Sequence, residues 1–356
     1  MILREATEAD WPEIANFFLT TPVQAGTSFV LDRRPDFGAL PALRGRFRTF
    51  LVFQQSRLAG TATALWHHAR DGERSVCVGE VTDLRVASWA RGGRAVFHLL
   101  HAIYDVFVGE RVDWILALIG KQNHATIPVV NGRTGLPPLV PLEDFASVHF
   151  MAARVPRLFA AGGVVVRSAK ASDAPLLAQL FAAEYASQCF APPDLIAWPD
   201  PADRHRAWLA FEPDGTLCGA LVTWDGAAIR RIRILRYRTA DLPLRAGMRI
   251  ASLFGLANPL PVPGGVFGMW ATRLVTVLRG EGRTLRALLD AALGCAAAAG
   301  QSGLQLNLRA CDPLFTQLPP YPRSTYWSAL YGCHCDGTPM PARYFSERYH
   351  ADIALV

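Results

Sequence analysis

The segment Leu3-Arg4-Glu5-Ala6-Thr7-Glu8-Ala9-Asp10-Trp11-Pro12, continuing through Ala15 to Phe18, returns 163 residues later. There it reads Val166-Arg167-Ser168-Ala169-Lys170-Ala171-Ser172-Asp173-Ala174-Pro175 and continues through Ala178 to Phe181. A repeat at fixed spacing restricts the fold more than any other feature, because each copy must build the same unit. Each copy reads as a short strand, a polar turn and an amphipathic helix. Thr or Asp stands in the helix-start region and Pro in the first turn, where its missing N–H costs nothing.

The remainder of each half agrees. Arg57-Leu58-Ala59-Gly60-Thr61-Ala62 matches Thr216-Leu217-Cys218-Gly219-Ala220-Leu221, each a turn opening a strand. A strand, a Gly/Arg loop and a long helix follow in both halves. In the first they are Glu80 to Val86, then Arg91-Gly92-Gly93-Arg94-Ala95, then a helix to about residue 108. In the second they are Phe267 to Val277, then Arg279-Gly280-Glu281-Gly282-Arg283-Thr284, then a helix to about residue 299. Buried strands come next, Trp114 to Ile119 and Leu304 to Leu308. The 356 residues suit two domains. The expected division is 1–155, a linker at 156–163, and 164–356 with an insertion at about 225–265.

Composition excludes several classes. Hydrophobic residues are 51% and charged residues 19%, which argues against disorder and coiled coil. Seven cysteines without regular spacing argue against a disulfide framework and for a reducing compartment. The first residues lack the basic-then-apolar order of a signal peptide. Ile250 to Thr272 is uncharged and long enough to span a bilayer, but Pro259, Pro261, Pro263 and Gly264-Gly265 would break a helix there. It reads as helix end, loop and strand, in a soluble, cytoplasmic protein. His98 with His101, and Cys333 with Cys335, lack further ligands, so no metal is expected.

The net charge is +6, and of 36 basic residues all but Lys121 and Lys170 are arginine. A Gly-rich loop opening a helix offers free N–H groups and a positive dipole end to a phosphate or pyrophosphate, and neighbouring arginines add charge-assisted bonds. The two loops here are neither dinucleotide fingerprints nor Walker loops, since no G-x-G-x-x-G follows an early strand and no Lys-Ser/Thr follows the glycines.

Element order and loops together resemble the GNAT acyltransferase superfamily, whose pyrophosphate loop reads Gln/Arg-x-x-Gly-x-Gly/Ala. The first copy supplies Gly93 and Ala95 with Ala90 at the leading position. The second supplies Arg279 and Gly282 with Thr284 at the last. The resemblance implies an α/β fold with mixed sheets, two GNAT-like domains in tandem, and acetyl-CoA or another acyl-CoA as cosubstrate. Pantetheine amides would pair with the strands before the loops, Leu84-Arg85-Val86 and Val275-Thr276-Val277. The pyrophosphate would meet Arg91, Gly92, Gly93, Arg94 and Ala95, or Arg279, Gly280, Gly282, Arg283 and Thr284. Asn123 matches the family's Asn-bearing segment after the following strand.

A tyrosine one or two turns further on often acts in this family as acid toward the departing thiolate. Neither Ile127 to Val130 nor Gln317 to Pro319 holds one, leaving Tyr321 and Tyr326 as neighbours, with Tyr326 taken as the candidate. Closing strands are expected at Ala146 to Met151 and His350 to Leu355. Acyl transfer to an amine requires removal of a proton. Glu80 lies where the family often carries its base, and Asp83 lies on the opposite face by strand alternation. Phe267 to Val277 has no carboxylate, which tilts catalysis toward the first half.

The expected activity is therefore N-acetyl transfer to a primary amine by direct attack. The alternatives are a degenerate CoA-binding or regulatory protein and an aminoacyl-tRNA-dependent amide-forming transferase. Arg230, Arg231, Arg233, Arg236 and Arg238, followed by Arg245 and Arg249, read in part as a strand with a basic face. That face would suit an anionic acceptor or be simply solvated. The acceptor is expected to be a small molecule or peptide, with no nucleic acid and no stable membrane insertion.

Overall fold

The computed structural model describes residues 1–25, 27–133, 136–152, 163–191, 204–278 and 281–351. The expected linker lies outside them apart from Gly163, as do Arg279 and Gly280. First-half strands are β1 (Ile2–Glu5), β2 (Val23–Ala25), β3 (Thr27–Asp32), β4 (Arg46–Gln54), β5 (Arg57–Asp71), β6 (Arg74–Val86), β7 (Trp114–Gly120) and β8 (Val140–Met151). Second-half strands are β9 (Val165–Ser168), β10 (His205–Phe211), β11 (Leu217–Asp225), β12 (Arg231–Arg236), β13 (Val266–Phe267), β14 (Met269–Val277), β15 (Gly303–Arg309) and β16 (Arg323–His334). The longer helices are α1 (Trp11–Thr20), α2 (Ala95–Gly109), α3 (Ala174–Ala186), α4 (Leu242–Leu253) and α5 (Gly282–Ala298). None of the described helices is long and apolar enough to cross a membrane.

The repeated segment is repeated in its contacts. Arg4 pairs with Asp10 at 2.6 Å and Arg167 with Asp173 at 2.7 Å. Each aspartate also accepts the backbone N–H three residues before it, from Thr7 at 2.8 Å and Lys170 at 2.7 Å. The two guanidinium carbons stand 5.1 Å and 5.0 Å from the Phe53 and Phe211 rings. Both aspartates thereby cap the turn leading into α1 or α3, and the pairing arginine holds each carboxyl well below its usual range.

Twelve strands form one sheet in the order β1-β4-β5-β6-β7-β16-β8-β15-β14-β11-β10-β9. At its centre the halves exchange strands: β16 pairs with β7 of the first half, and β8 pairs with β15 of the second. The expected closing strand at His350 to Leu355 is thus corrected. His350 and Ala351 are not in a strand, residues 352–356 lie outside those described, and Arg323–His334 takes the closing place. Strand alternation sorts the cores. Trp208, Ala210 and Cys218 face α5, whereas Ala207, Leu209 and Ala220 face α3.

A second sheet, β13-β12-β3-β2, joins the halves, with Arg231 opposite Asp32 and Arg233 opposite Val30. The fully buried Asp32 accepts from Arg34 and Arg233, both at 2.9 Å. Arg231 donates to the Arg34 carbonyl at 3.0 Å. The expected basic face of this strand therefore meets a carboxylate and a carbonyl of the other half.

Candidate functional site

The first-half opening follows from how β6 is paired. It runs parallel to β7 only at Val78, Gly79 and Glu80, opposite Trp114, Ile115 and Leu116. Beyond Glu80 the strands part. β7 continues along β16 as far as Gly120, and β6 continues along β5 as far as Val86. One edge of β6 from Val81 to Val86 is left without a strand neighbour, so its backbone groups are available to a ligand. A bulge interrupts this stretch: Thr61 opposes Arg85 and Thr63 opposes Thr82, leaving Asp83 and Leu84 against Ala62. Asp83 takes φ +56°, a left-handed conformation held in place by its surroundings.

Those surroundings are polar and largely buried. Arg33, 1% exposed, pairs with Asp83 Oδ2 at 2.6 Å and donates to the Phe37 carbonyl at 2.7 Å. Its guanidinium carbon lies 3.9 Å from the Phe37 ring centroid. Arg85 lies over Phe18 at 5.3 Å, and no described residue forms a hydrogen bond or ion pair with it. Burial pulls the Arg85 pKa down, with Asp83 opposing that shift. Tyr326, from β16, comes close over Gly120 at the end of β7: a Cβ at Gly120 would lie 1.7 Å from the hydroxyl. Burial raises the Tyr326 pKa and nearby Arg85 opposes it, so the phenol is protonated at neutral pH.

Glu80 sits at the base of the opening in a network of its own. Arg44 and, at 3.1 Å, His67 Nε2 both contact its carboxylate. Burial favours the neutral acid, but Arg44 and then His67 outweigh it and bring the pKa down to about 2. A carboxylate so stabilised as an anion is a weak proton acceptor.

The loop after β6 is exposed through Arg91, Gly92, Gly93 and Arg94 and leads to buried Ala95 at the start of α2. Gly92 takes φ +78° with open space around it, so glycine serves the backbone there. Asn123 is exposed just past β7, and its N–H donates to the Gly120 carbonyl at 2.8 Å.

The second half repeats the splay with different contents. β14 and β15 pair only at Met269–Ala271 with Gly303–Gln305, and β14 bulges at Arg273. Here protein groups bridge the gap. The Asn307 N–H donates to Thr272 Oγ1 at 3.2 Å and its side-chain amide to the Thr272 carbonyl at 3.3 Å. Gln305 and Ser147 donate to Asn307 Oδ1 at 2.7 and 3.1 Å. The corresponding first-half positions are Leu116 and Leu118. Val275, Thr276 and Val277 continue β14 toward a loop whose Arg283 is engaged by Glu281 at 2.6 Å and Glu212 at 3.0 Å. Gly282 lies against Gln317, and buried Thr284 lies against Gly219.

Asp83, Arg85 and Tyr326 therefore converge at the first opening, with Leu84 and Val86 on its β6 arm. Arg33 and Thr61 were missed by sequence reading: an Arg-Arg-Pro turn and a strand threonine carry no local signal of what they face. The polar alternation Gln305–Asn307, against the unbroken apolar run Trp114 to Ile119, was the available clue that the two openings differ.

No protein-family model matches the sequence, and no curated protein does. Solved structures do share the fold. Two structures of Saccharomyces cerevisiae N-myristoyltransferase with bound myristoyl-CoA match at TM-scores of 0.58 and 0.55 and at 11% and 13% identity. The matches cover 93% of this chain in each case, and 82% and 78% of theirs. A GCN5-related N-acetyltransferase from Anabaena variabilis matches at 0.49 and 9% identity, over 94% of this chain and 73% of its own. With its parted strands, bulges and central strand exchange, the chain has the fold of the N-myristoyltransferase structures, an acyltransferase fold.

Proposed function

We propose that the protein is an acyl-CoA-dependent N-acyltransferase whose donor lies in the first-half opening. The observation that carries this reading is the free β6 edge from Val81 to Val86, running toward the exposed Arg91-Gly92-Gly93-Arg94 loop. A pantetheine arm can pair with the edge while the pyrophosphate meets the loop. Arg91 and Arg94 are its cationic contacts, and Asn123 lies near the mouth. The bridged second opening and the paired Arg283 support a structural second half.

Acetyl is the proposed acyl group. At the base of the opening Leu116 and Leu330 belong to a filled cluster with Val78 and Trp114, which supports a short chain. The acceptor nitrogen attacks the thioester carbonyl, and the C–S bond breaks as the tetrahedral intermediate collapses. We assign Asp83 to take the proton leaving nitrogen, through Oδ1, since Arg33 engages Oδ2. Tyr326 gives its proton to the departing thiolate and is recharged from water. Glu80 serves instead to position His67 and Arg44.

Calorimetric titration with CoA, and product detection by mass spectrometry from acetyl-, octanoyl- and myristoyl-CoA with a mixed amine panel, test this reading. CoA binding that weakens about tenfold or more when Arg91 and Arg94 are both changed to Ala supports the donor site. Unchanged affinity would remove the loop from it. Binding without any acylated product would leave a CoA-binding protein, and a preference for myristoyl-CoA would overturn the acetyl assignment.

A further inference from the structure

The charges around Asp83 do not balance. Arg33 and Asp83 neutralise each other at 2.6 Å, and among the described residues no carboxylate forms an ion pair with Arg85. Its Nε is buried without a hydrogen-bond partner. Thr61, fully buried and in register with Arg85 across the β5–β6 pair, has an unpartnered Oγ1, and the Nε of Arg33 is likewise unmet. Buried polar groups are nearly always satisfied, so several orphans beside one uncompensated guanidinium call for an external partner. Gly60 faces Leu99 of α2, so alternation turns Thr61 and Arg85 to the other face, where Phe18 of α1 lies. The partner must be compact, anionic and rich in acceptors, because a guanidinium donates and never accepts.

We propose that Arg85, with Thr61 and Arg33 beside it, binds the carboxylate of the acyl acceptor, so that the substrate is an amine bearing a carboxylate, of the amino-acid class. This rests on the N-acyltransferase reading. Asp83 and Arg85 stand two positions apart on one strand, so an amine at Asp83 and a carboxylate at Arg85 belong to one small molecule. The orphaned donors are satisfied only when it is bound, which ties acceptor affinity to the charge of its carboxylate. The arginines of β12 are not part of this site.

The test uses the full chain and two probes: an equimolar mixture of the common amino acids, and the same mixture as carboxamides. Acylated products from acetyl-CoA are expected from the acids about a hundredfold more efficiently than from the amides. Arg85→Gln should erase that preference, raising KM for the acids while CoA affinity stays within about threefold. Arg85→Lys, which retains charge but not the fork, should restore part of it. Equal use of acids and amides, or a preference that survives Arg85→Gln, would overturn the proposal. Thermal shift without CoA reads the site separately: the acids, and not the amides, should raise the melting temperature of the unaltered protein and not of Arg85→Gln. If CoA fails to bind, the N-acyltransferase reading falls. An equal shift by acids and amides would sink the carboxylate site whether or not CoA binds.

Discussion

Tyr326 stands over Gly120 although the two residues come from opposite halves of the chain, brought together because β16 closes the sheet beside β7. The tyrosine candidate for the second copy therefore belongs to the opening of the first. Tyr326→Phe is expected to lower kcat by about 10–100-fold, with CoA affinity nearly unchanged. Gly120→Ala should act similarly, because the new methyl would force the hydroxyl end of Tyr326 aside. Steady-state kinetics check both, and full turnover in Tyr326→Phe would remove it as the acid.

Asp83 and Arg33 separate chemistry from stability. Asp83→Asn should cost about 10²–10⁴ in kcat if the carboxylate takes the proton. Arg33→Met leaves a largely buried carboxylate without its partner, and should destabilise the fold by about 3–5 kcal/mol. Denaturant unfolding and kinetics on both variants distinguish the roles.

Asp32 holds the two halves through one buried carboxylate shared by Arg34 and Arg233. Asp32→Ala should leave Arg233 facing β3 without an acceptor and cost about 3–5 kcal/mol. Arg34 reaches the same carboxylate from the solvent side, so Arg34→Ala should cost far less. Equal losses in urea unfolding would contradict this division.

Asn307 fills the second opening. Asn307→Leu installs the residue type found at Leu118 and keeps the backbone N–H to the Thr272 hydroxyl, but strands the Thr272 carbonyl and removes the acceptor of Gln305 and Ser147. A loss of about 1–3 kcal/mol is expected, with acyl transfer retained. Loss of activity at unchanged stability would assign a working site to the second half.

His149 provides a pH signature. Burial drives its pKa down to about 4, with a hydrogen bond to Gln305 opposing. A base whose folded pKa is depressed stays neutral in the native state while the unfolded chain binds protons. Its contribution to stability is therefore fully present above about pH 6.5 and declines as pH falls toward 4. Melting temperatures from pH 7.5 to 4 should fall less steeply for His149→Gln; an identical slope would exclude this histidine as a source.

The repeated segment shows how much was legible locally. Arg4 with Asp10 and Arg167 with Asp173 lie six residues apart, so short-range sterics and capping determine strand, turn and helix in each copy. The Gly/Arg loop of the first half was legible for the same reason. Glu80 was placed on the right strand, but its side chain is governed by Arg44 and His67, which no spacing rule connects to it. The basic face of β12 was also visible, whereas its partner Asp32 lies in the other half.

By itself the sequence determined two similar α/β units, a glycine- and arginine-bearing loop before a helix and a strand carrying Asp83 and Arg85, because those follow from periodicity and local backbone preference. Tertiary structure alone decided that β8 and β16 cross over, that Tyr326 meets the first opening, that Asn307 blocks the second, and that no described carboxylate forms an ion pair with Arg85. These depend on which side chains meet across a sheet built from distant segments, where burial and charge balance, not local propensity, set the outcome.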